Sequence, residues 1–413
     1  MIKIESSSSS NKKSKRVRTT TVTFVLAFSV AAFVASGVWA KPPPPINATV
    51  CATIGGTWTP NTCTIPAGTG GEANQPFTIS KGVTLDVQGS LTIPTGVTIT
   101  NAKDGTIIVE NAGGVSTPFD DPVWRAGILV LGTLDNSGTI IIKNETANTE
   151  GITVSVSVSE NDPPEPNPFA VVPGTLTNSG TITIQNRDQT TRGIKNLGTI
   201  ANSHSGTITV ANRVADSVGI YNRRSDHIPL GSNYYYINGA MTNAGSITIS
   251  NSGDSSGWGV YNVGLFTNSA KGTFTINPSP ASDDAGSGGF YNKGSITSHG
   301  TFTNNRGTVE SLYGPTPIWG SYNEDPGTMI NYGTTFVDAD GALDSPDFKG
   351  TFYNNSVMIN LGHITSHGVL FDESAGATMI NFGTIYNYGG IGNGTNKGIC
   401  VDETSTNPAA GGC

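Results

Sequence analysis

Short segments in which apolar and polar residues alternate recur along most of the chain, separated by glycine, asparagine or proline. Residues 77–79 (Phe-Thr-Ile) form the first clear segment, and residues 180–184 (Gly-Thr-Ile-Thr-Ile) are typical of the later ones. An alternation with a period of two places neighbouring side chains on opposite faces of a strand. We therefore predict short β-strands in which Ile182 and Ile184 face a core and the threonines face solvent.

These segments form an internal repeat. Six of them start with a glycine, a hydroxyl residue and an apolar residue, at spacings of 42, 26, 39, 27 and 28 residues: Gly138, Gly180, Gly206, Gly245, Gly272 and Gly300. The two long intervals contain inserted loops at residues 160–173 and 223–236, so the basic period is 26 to 28 residues. This period, with about three short strands in each repeat, predicts an all-β fold: a single-stranded parallel β-helix, or β-solenoid, with one coil per repeat.

Asn-x-Gly triplets recur where the predicted strands end. Asparagine and glycine both tolerate left-handed backbone angles, so we expect each triplet to form a corner between two strands. The asparagine side chain can also bond its own backbone and the asparagine one coil away, which predicts an asparagine ladder. The triplets begin at Asn136, Asn178, Asn196, Asn243, Asn262, Asn292, Asn331, Asn360, Asn381 and Asn387.

The regions outside the repeats differ from them in composition. Basic residues followed by an uncharged apolar run are typical of a signal sequence, predicted at residues 1–40, with an uncleaved membrane anchor as the alternative. Residues 41–50 contain four consecutive prolines and predict a stiff spacer. A solenoid of residues 77–395 would expose strand edges at both ends, so we predict caps at residues 51–76 and 396–413.

The four cysteines lie in two pairs, one near each end of the predicted solenoid. An even number of cysteines in an exported chain predicts local disulfide bonds, Cys51 with Cys63 and Cys400 with Cys413. We expect both bonds to staple the caps. Export also predicts that the protein is extracellular or located at the cell surface.

The charge balance limits the classes of partner. The chain has 22 basic and 30 acidic residues, and residues 1–40 hold six of the basic and one of the acidic residues, which leaves a formal net charge of −13 after their removal. Such a chain should avoid nucleic acid and anionic membranes. Membrane contact is expected only through an uncleaved signal.

The repeats contain little that predicts catalysis. Carboxylates clustered on one strand face would indicate a polysaccharide-cleaving enzyme, and the repeat strands contain almost none. We therefore predict that the protein is not an enzyme and has no cofactor, with bound calcium as the alternative. An acidic segment with a glycine at its sixth position resembles part of an EF-hand loop, although Phe336 stands where the first acidic ligand belongs. Its candidate ligands are Asp338, Asp340, Asp344 and Asp347.

Four tyrosines occupy the same position of successive coils, within Gly-x-Tyr-Asn segments: Tyr221, Tyr261, Tyr291 and Tyr322. Because they alternate with residues assigned to the core, we expect an outward aromatic ladder. Stacked rings can stabilise a sheet face, bind sugars or join two solenoids.

Residues 176–184 (Leu-Thr-Asn-Ser-Gly-Thr-Ile-Thr-Ile) resemble the repeats of haemagglutinin-type and autotransporter-passenger adhesins, and the resemblance extends over about residues 77–395. It implies attachment or surface display. We therefore expect a noncatalytic structural or adhesive protein that binds other surface proteins, glycans or copies of itself through outer strand faces and inserted loops. The alternatives are a β-helix protein that binds or cleaves carbohydrate, and a self-assembling envelope or filament subunit.

Overall fold

The structure is a computed structural model and consists almost entirely of β-strands in three long, parallel sheets. It confirms the predicted all-β solenoid. The residues that it describes are 42–111, 115–116, 125–160, 169–188, 190–212, 217–224, 228–230, 233–235, 238–251, 258–278, 288–304, 321–323, 328–337, 350–354, 357–366, 369–372, 378–387, 395–396 and 399–402.

Each full coil contributes one strand in turn to three sheets, which we call sheet 1, sheet 2 and sheet 3. In the described residues, sheet 1 contains the strands Thr57–Thr59, Thr62–Ile65, Thr84–Val87, Thr106–Asn111, Thr139–Asn144, Thr181–Asn186, Thr207–Asn212, Ser246–Asn251, Thr273–Pro278, Thr301–Asn304, Thr334–Val337, His363–Ser366, Thr384–Asn387 and Ile399–Asp402. Sheet 2 contains Gly70–Glu72, Ser90–Ile93, Val115–Ser116, Arg125–Val130, Thr149–Val154, Arg192–Asn196, Val218–Asn222, Trp258–Asn262, Gly288–Asn292, Ser321–Asn323, Gly350–Asn354 and Val369–Asp372. Sheet 3 contains Phe77–Ile79, Thr98–Asn101, Thr133–Asn136, Thr175–Asn178, Thr199–Asn202, Ala240–Asn243, Leu265–Asn268, Ser295–Ser298, Thr328–Asn331, Val357–Asn360, Thr378–Asn381 and Thr395–Asn396.

Neighbouring coils pair residue by residue, and this register builds the core. Ile182 lies opposite Ile140 of the preceding coil and Ile208 of the following coil, and all three side chains are fully buried. The spacing of neighbouring strands, about 4.8 Å, brings such side chains into direct contact. The bore of the solenoid is thus filled by stacked apolar side chains, and the predicted inward face is confirmed.

The shortest coils have fewer residues than the predicted period of 26 to 28. The sheet 1 strands that begin at Thr62, Thr84 and Thr106 follow one another at intervals of 22 residues. The corner from sheet 3 into sheet 1 has two or four residues in each described coil, so the added residues of longer coils lie at the other two corners. The period found in the sequence therefore includes loop residues.

Both predicted loop insertions lie between a sheet 2 strand and a sheet 3 strand, and each contains an antiparallel hairpin. In the first insertion Val156–Glu160 pairs with Phe169–Pro173. In the second, Ile228–Leu230 pairs with Asn233–Tyr235. Backbone groups that have left the parallel sheets are thus paired within each insertion.

The predicted N-terminal spacer is wrong for the residues that follow the prolines. Pro45 forms a parallel bridge to Thr78, and Ile46 and Val50 are buried. A helix, Ala48–Thr53, begins at the N-cap Asn47, whose side chain accepts a hydrogen bond from the backbone of Val50. The two apolar side chains explain the difference, because burying them stabilises this segment against the first coil.

The parallel sheets also extend beyond the predicted solenoid limits. At the N-terminal side, Thr62–Ile65 already pairs in parallel with Thr84–Val87, within the segment predicted as a cap. The antiparallel strand Thr57–Thr59 covers the other edge of Thr62–Ile65. Ile399–Asp402, in the predicted C-terminal cap, pairs in parallel with Thr384–Asn387. Capping of the N-terminal edge thus needs only the helix and one antiparallel strand.

Asparagine side chains form ladders along the solenoid, as predicted. In sheet 3 the Nδ2 of one asparagine donates to the Oδ1 of the asparagine in the next coil, through Asn101, Asn136, Asn178, Asn202, Asn243 and Asn268. A second ladder in sheet 2 joins Asn196, Asn222, Asn262 and Asn292. These amides are buried, so each bond satisfies groups that would otherwise be costly to remove from water.

The predicted left-handed conformation of the Asn-x-Gly corners is wrong. Among the described residues, the glycines with positive φ are Gly55, Gly68, Gly82 and Gly96, and none of them belongs to such a triplet. The corner glycines are needed for a different reason, because the backbones of successive coils touch there. A Cβ at Gly180 would overlap the carbonyl oxygen of Gly138.

The sheet 3 ladder is interrupted at Ser298, and this interruption gives a testable prediction. The Nδ2 of Asn268 reaches the Ser298 hydroxyl at only 3.5 Å, and the buried Oδ1 of Asn331 has no hydrogen-bond partner within the described residues. Ser298→Asn should donate to that oxygen and raise the free energy of unfolding by about 1 kcal/mol, measured by urea denaturation. Ser298→Ala is the control, and a Ser298→Asn protein less stable than this control would contradict the prediction.

Candidate binding strip on sheet 2

The outward positions of sheet 2 form a row that changes from polar to aromatic along the solenoid. The row follows the strand register through Thr153, Lys195, Tyr221, Tyr261, Tyr291, Tyr322 and Tyr353, and we call it the sheet 2 strip. The preceding residue in the described coils, such as Ile194 or Ile220, is buried in the bore. The strip is therefore fixed to the most rigid part of the fold.

Three tyrosine rings of the strip are in contact from coil to coil. The ring centroids of Tyr221 and Tyr261 lie 5.2 Å apart with the rings edge to face. The rings of Tyr261 and Tyr291 are stacked, with their centroids 4.4 Å apart. Trp258 extends the cluster, because its ring lies 4.9 Å from that of Tyr291. The backbone of Tyr322 is in register with Tyr291, and its side chain is outside the described part of the chain.

A buried charged cluster occupies the other end of the strip. Glu150 and Lys195 are both fully buried, and Nζ of Lys195 lies 3.3 Å from Oε1 of Glu150. The same oxygen accepts a hydrogen bond of 2.9 Å from Nη1 of Arg192, and Oε2 accepts one of 2.6 Å from the Thr153 hydroxyl. Because Glu150 and Arg192 lie opposite each other on neighbouring strands, the cluster ties two coils together.

Burial changes the protonation equilibria of this cluster. It raises the pKa of Glu150, an effect that the charge of Arg192 and the hydrogen bond from Thr153 oppose. Burial also lowers the pKa of Lys195 to about 7, and the charge of Arg223 acts in the same direction. The ammonium group of Lys195 therefore titrates near neutral pH rather than in the alkaline range usual for lysine.

Arg192 joins the charged and aromatic halves of the strip. Its guanidinium carbon lies 4.5 Å from the centroid of the Tyr221 ring while its Nη1 is bonded to Glu150. A guanidinium group over a ring face is attracted by the ring quadrupole. The strip thus presents charge, hydrogen-bonding groups and ring faces on one surface, a combination suited to a polar ligand with apolar faces.

The sequence analysis found the tyrosines and missed Glu150, Arg192 and Lys195. For Lys195 a signal was present, because residues 193–196 (Gly-Ile-Lys-Asn) match the Gly-x-Tyr-Asn segment with lysine in place of tyrosine. Glu150 and Arg192 have no such recurrence. Their partnership depends on strand register, which a single acidic or basic residue does not reveal.

The other predicted sites have different outcomes. Cys51 and Cys63 form the predicted disulfide bond, at the start of the solenoid. Cys400 lies on a described strand, and its predicted partner Cys413 is outside the described residues. The candidate calcium ligands Asp338, Asp340, Asp344 and Asp347 are outside them as well, so this site stays a prediction. Within the described ranges, no three or more histidine, cysteine or acidic side chains are grouped to hold a metal ion.

Comparison with known proteins adds no name to these features. No family model matches the chain, and no curated protein or solved structure does. In the part of the chain that the structure describes, no helix has the length and apolar character needed to span a membrane. The resemblance to surface adhesins stays a prediction.

Proposed function

We propose that this protein is a noncatalytic β-solenoid displayed outside the cell, where it attaches to glycans through the sheet 2 strip. The observation that carries the proposal is the contact of Tyr221, Tyr261 and Tyr291 in register on an outer face. Sugar rings have apolar faces that pack on aromatic rings, and hydroxyls that bond to polar groups. The strip offers both kinds of group.

The rigidity of the fold supports binding by this strip. The rings are carried on strands that are paired on both sides, and the asparagine ladder Asn196, Asn222, Asn262 and Asn292 runs one residue beyond them. A surface that is ordered before binding loses less conformational entropy when the ligand binds. Repetition of the ring from coil to coil also suits a ligand that is itself a repeating polymer.

Two features support a location outside the cell. The disulfide bond between Cys51 and Cys63 belongs to the class of bond that persists in oxidising compartments. The basic and then apolar composition of residues 1–40 is typical of a signal sequence. A cell fractionation experiment with an antibody to the solenoid would test this part of the proposal.

A glycan array tests the binding proposal. The wild-type protein should bind at least one class of glycan, and Tyr261→Ala should weaken that binding about tenfold, equivalent to roughly 1.4 kcal/mol for one lost ring. The matched control is Tyr332→Ala, since Tyr332 is about half exposed at a corner away from sheet 2. An equal loss in both variants would contradict binding through the strip. Turnover of a bound glycan would instead favour the enzymatic alternative.

A further inference from the structure

A second outer surface, on sheet 1, carries two parallel rows of hydroxyl groups over five consecutive coils. The strand register aligns the first row as Thr181, Thr207, Ser246, Thr273 and Thr301. It aligns the second row, two residues further along each strand, as Thr183, Thr209, Thr248, Thr275 and Thr303. We call these ten residues the hydroxyl lattice. None of them is needed by the sheet 2 strip.

The hydroxyls of the lattice face solvent. All ten residues are exposed or half-exposed, and in the described part of the chain none of their side-chain oxygens is hydrogen-bonded to another protein group. The β-branched threonines have few side-chain rotamers, so their hydroxyls hold a narrow range of positions. The lattice also lies beside the short corners from sheet 3, where no loop is inserted.

The spacings of the lattice are set by the fold. Neighbouring coils repeat at about 4.8 Å, and two residues along one strand cover roughly 6.7 Å in a direction nearly perpendicular to the stack. Asparagine ladders and stacked core side chains are features that limit the twist of a long sheet. The hydroxyls therefore form a regular two-dimensional array with a fixed repeat in each direction.

We propose that the hydroxyl lattice is an ice-binding surface. Its two repeats are close to the oxygen spacings on a prism face of hexagonal ice, so ordered water held by the hydroxyls can continue the crystal. An ice surface repeats in both directions and contacts all ten residues at once, whereas a small solute would contact few of them. The array carries no charged side chain that would disrupt such an ordered water layer.

Measurements of thermal hysteresis and ice recrystallisation on the full-length secreted protein test this proposal. The wild-type protein should shape ice crystals and slow their recrystallisation. Thr248→Lys with Thr275→Lys, on adjacent coils in the centre of the lattice, should abolish at least nine-tenths of the hysteresis, because two long cations displace the water layer. The matched control is Thr267→Lys with Thr297→Lys, an adjacent outward pair on sheet 3.

The outcomes separate this proposal from its alternatives. Far-UV circular dichroism and a melting curve establish that both double variants are folded. Absence of ice shaping by the wild-type protein would overturn the proposal, as would an equal loss of hysteresis in both double variants. A change of oligomeric size in the Thr248 and Thr275 variant without loss of ice shaping would also overturn it and identify the lattice as a contact between copies. Glycan binding through sheet 2 is measured separately and is unaffected by any of these results.

Discussion

Gly245→Ala is expected to lower the free energy of unfolding by about 3 kcal/mol, because overpacking at a close contact between two coils strains the backbone. A Cβ at Gly245 would overlap the carbonyl oxygens of Gly206 and Ser203, both backbone atoms of the preceding coil. No side-chain rotation can relieve such an overlap. The coils would have to separate, which would weaken the pairing of every strand at that level.

A glycine of the other kind provides the control. Gly96 has a φ of +81°, and a Cβ there would have no heavy atom within 4 Å. Asparagine tolerates the left-handed region, so Gly96→Asn should cost much less than alanine, which pays roughly 1 to 2 kcal/mol there. Gly245→Asn should be at least as destabilising as Gly245→Ala, because any Cβ meets the same carbonyls. Tolerance of asparagine at Gly245 in urea denaturation would show that the corner needs backbone freedom rather than close approach.

Glu150→Gln is expected to lower the free energy of unfolding by about 3 kcal/mol at pH 6, since it removes the carboxylate beside the buried ammonium of Lys195. Lys195→Met should remove the reason for most of this loss. The double variant should therefore be more stable than the sum of the two single changes predicts, with an interaction free energy of about 1 kcal/mol or more. Additive effects in this double-mutant cycle would contradict a coupled pair.

The pH dependence of the Glu150→Gln protein gives a second measure of the same pair. The folded-state pKa of Lys195 is lowered to about 7 from an ordinary value of 10.5, so between these values the unfolded state binds more protons. The stability contributed by this group therefore rises with pH across that window. The loss caused by Glu150→Gln should be smaller at pH 9 than at pH 6, and Lys195→Met should remove this difference.

The repeating features of this fold could be predicted from the sequence because each coil restates them. Ile182 and Ile184 were placed in the bore by simple alternation, and the asparagine ladders followed from the recurrence of one residue type. The coil length was overestimated, since the coils that begin at Thr62 and Thr84 lie outside the Gly-Thr-Ile wording that defined the period.

Features that occur once were harder to predict. Ile46 and Val50 follow a proline run that suggested a spacer, and only the presence of the first coil explains their burial. Glu150 and Arg192 meet because strands 42 residues apart in sequence are neighbours in sheet 2. Glycine at a corner such as Gly245 has two physical explanations, positive φ and close approach, and the same letter stands for both. The choice between them depends on the backbone of the neighbouring coil.

Pulsed dipolar spectroscopy with pairs of spin labels on sheet 1 tests the stacking of coils most directly. Labels at Thr183 and Thr303 are four coil steps apart, and labels at Ile141 and Thr303 are five steps apart. Stacked coils predict narrow distributions near 19 and 24 Å between the labelled backbone positions, at about 4.8 Å per step. Broad distributions, or an increase much larger than one coil step between the two pairs, would contradict the solenoid.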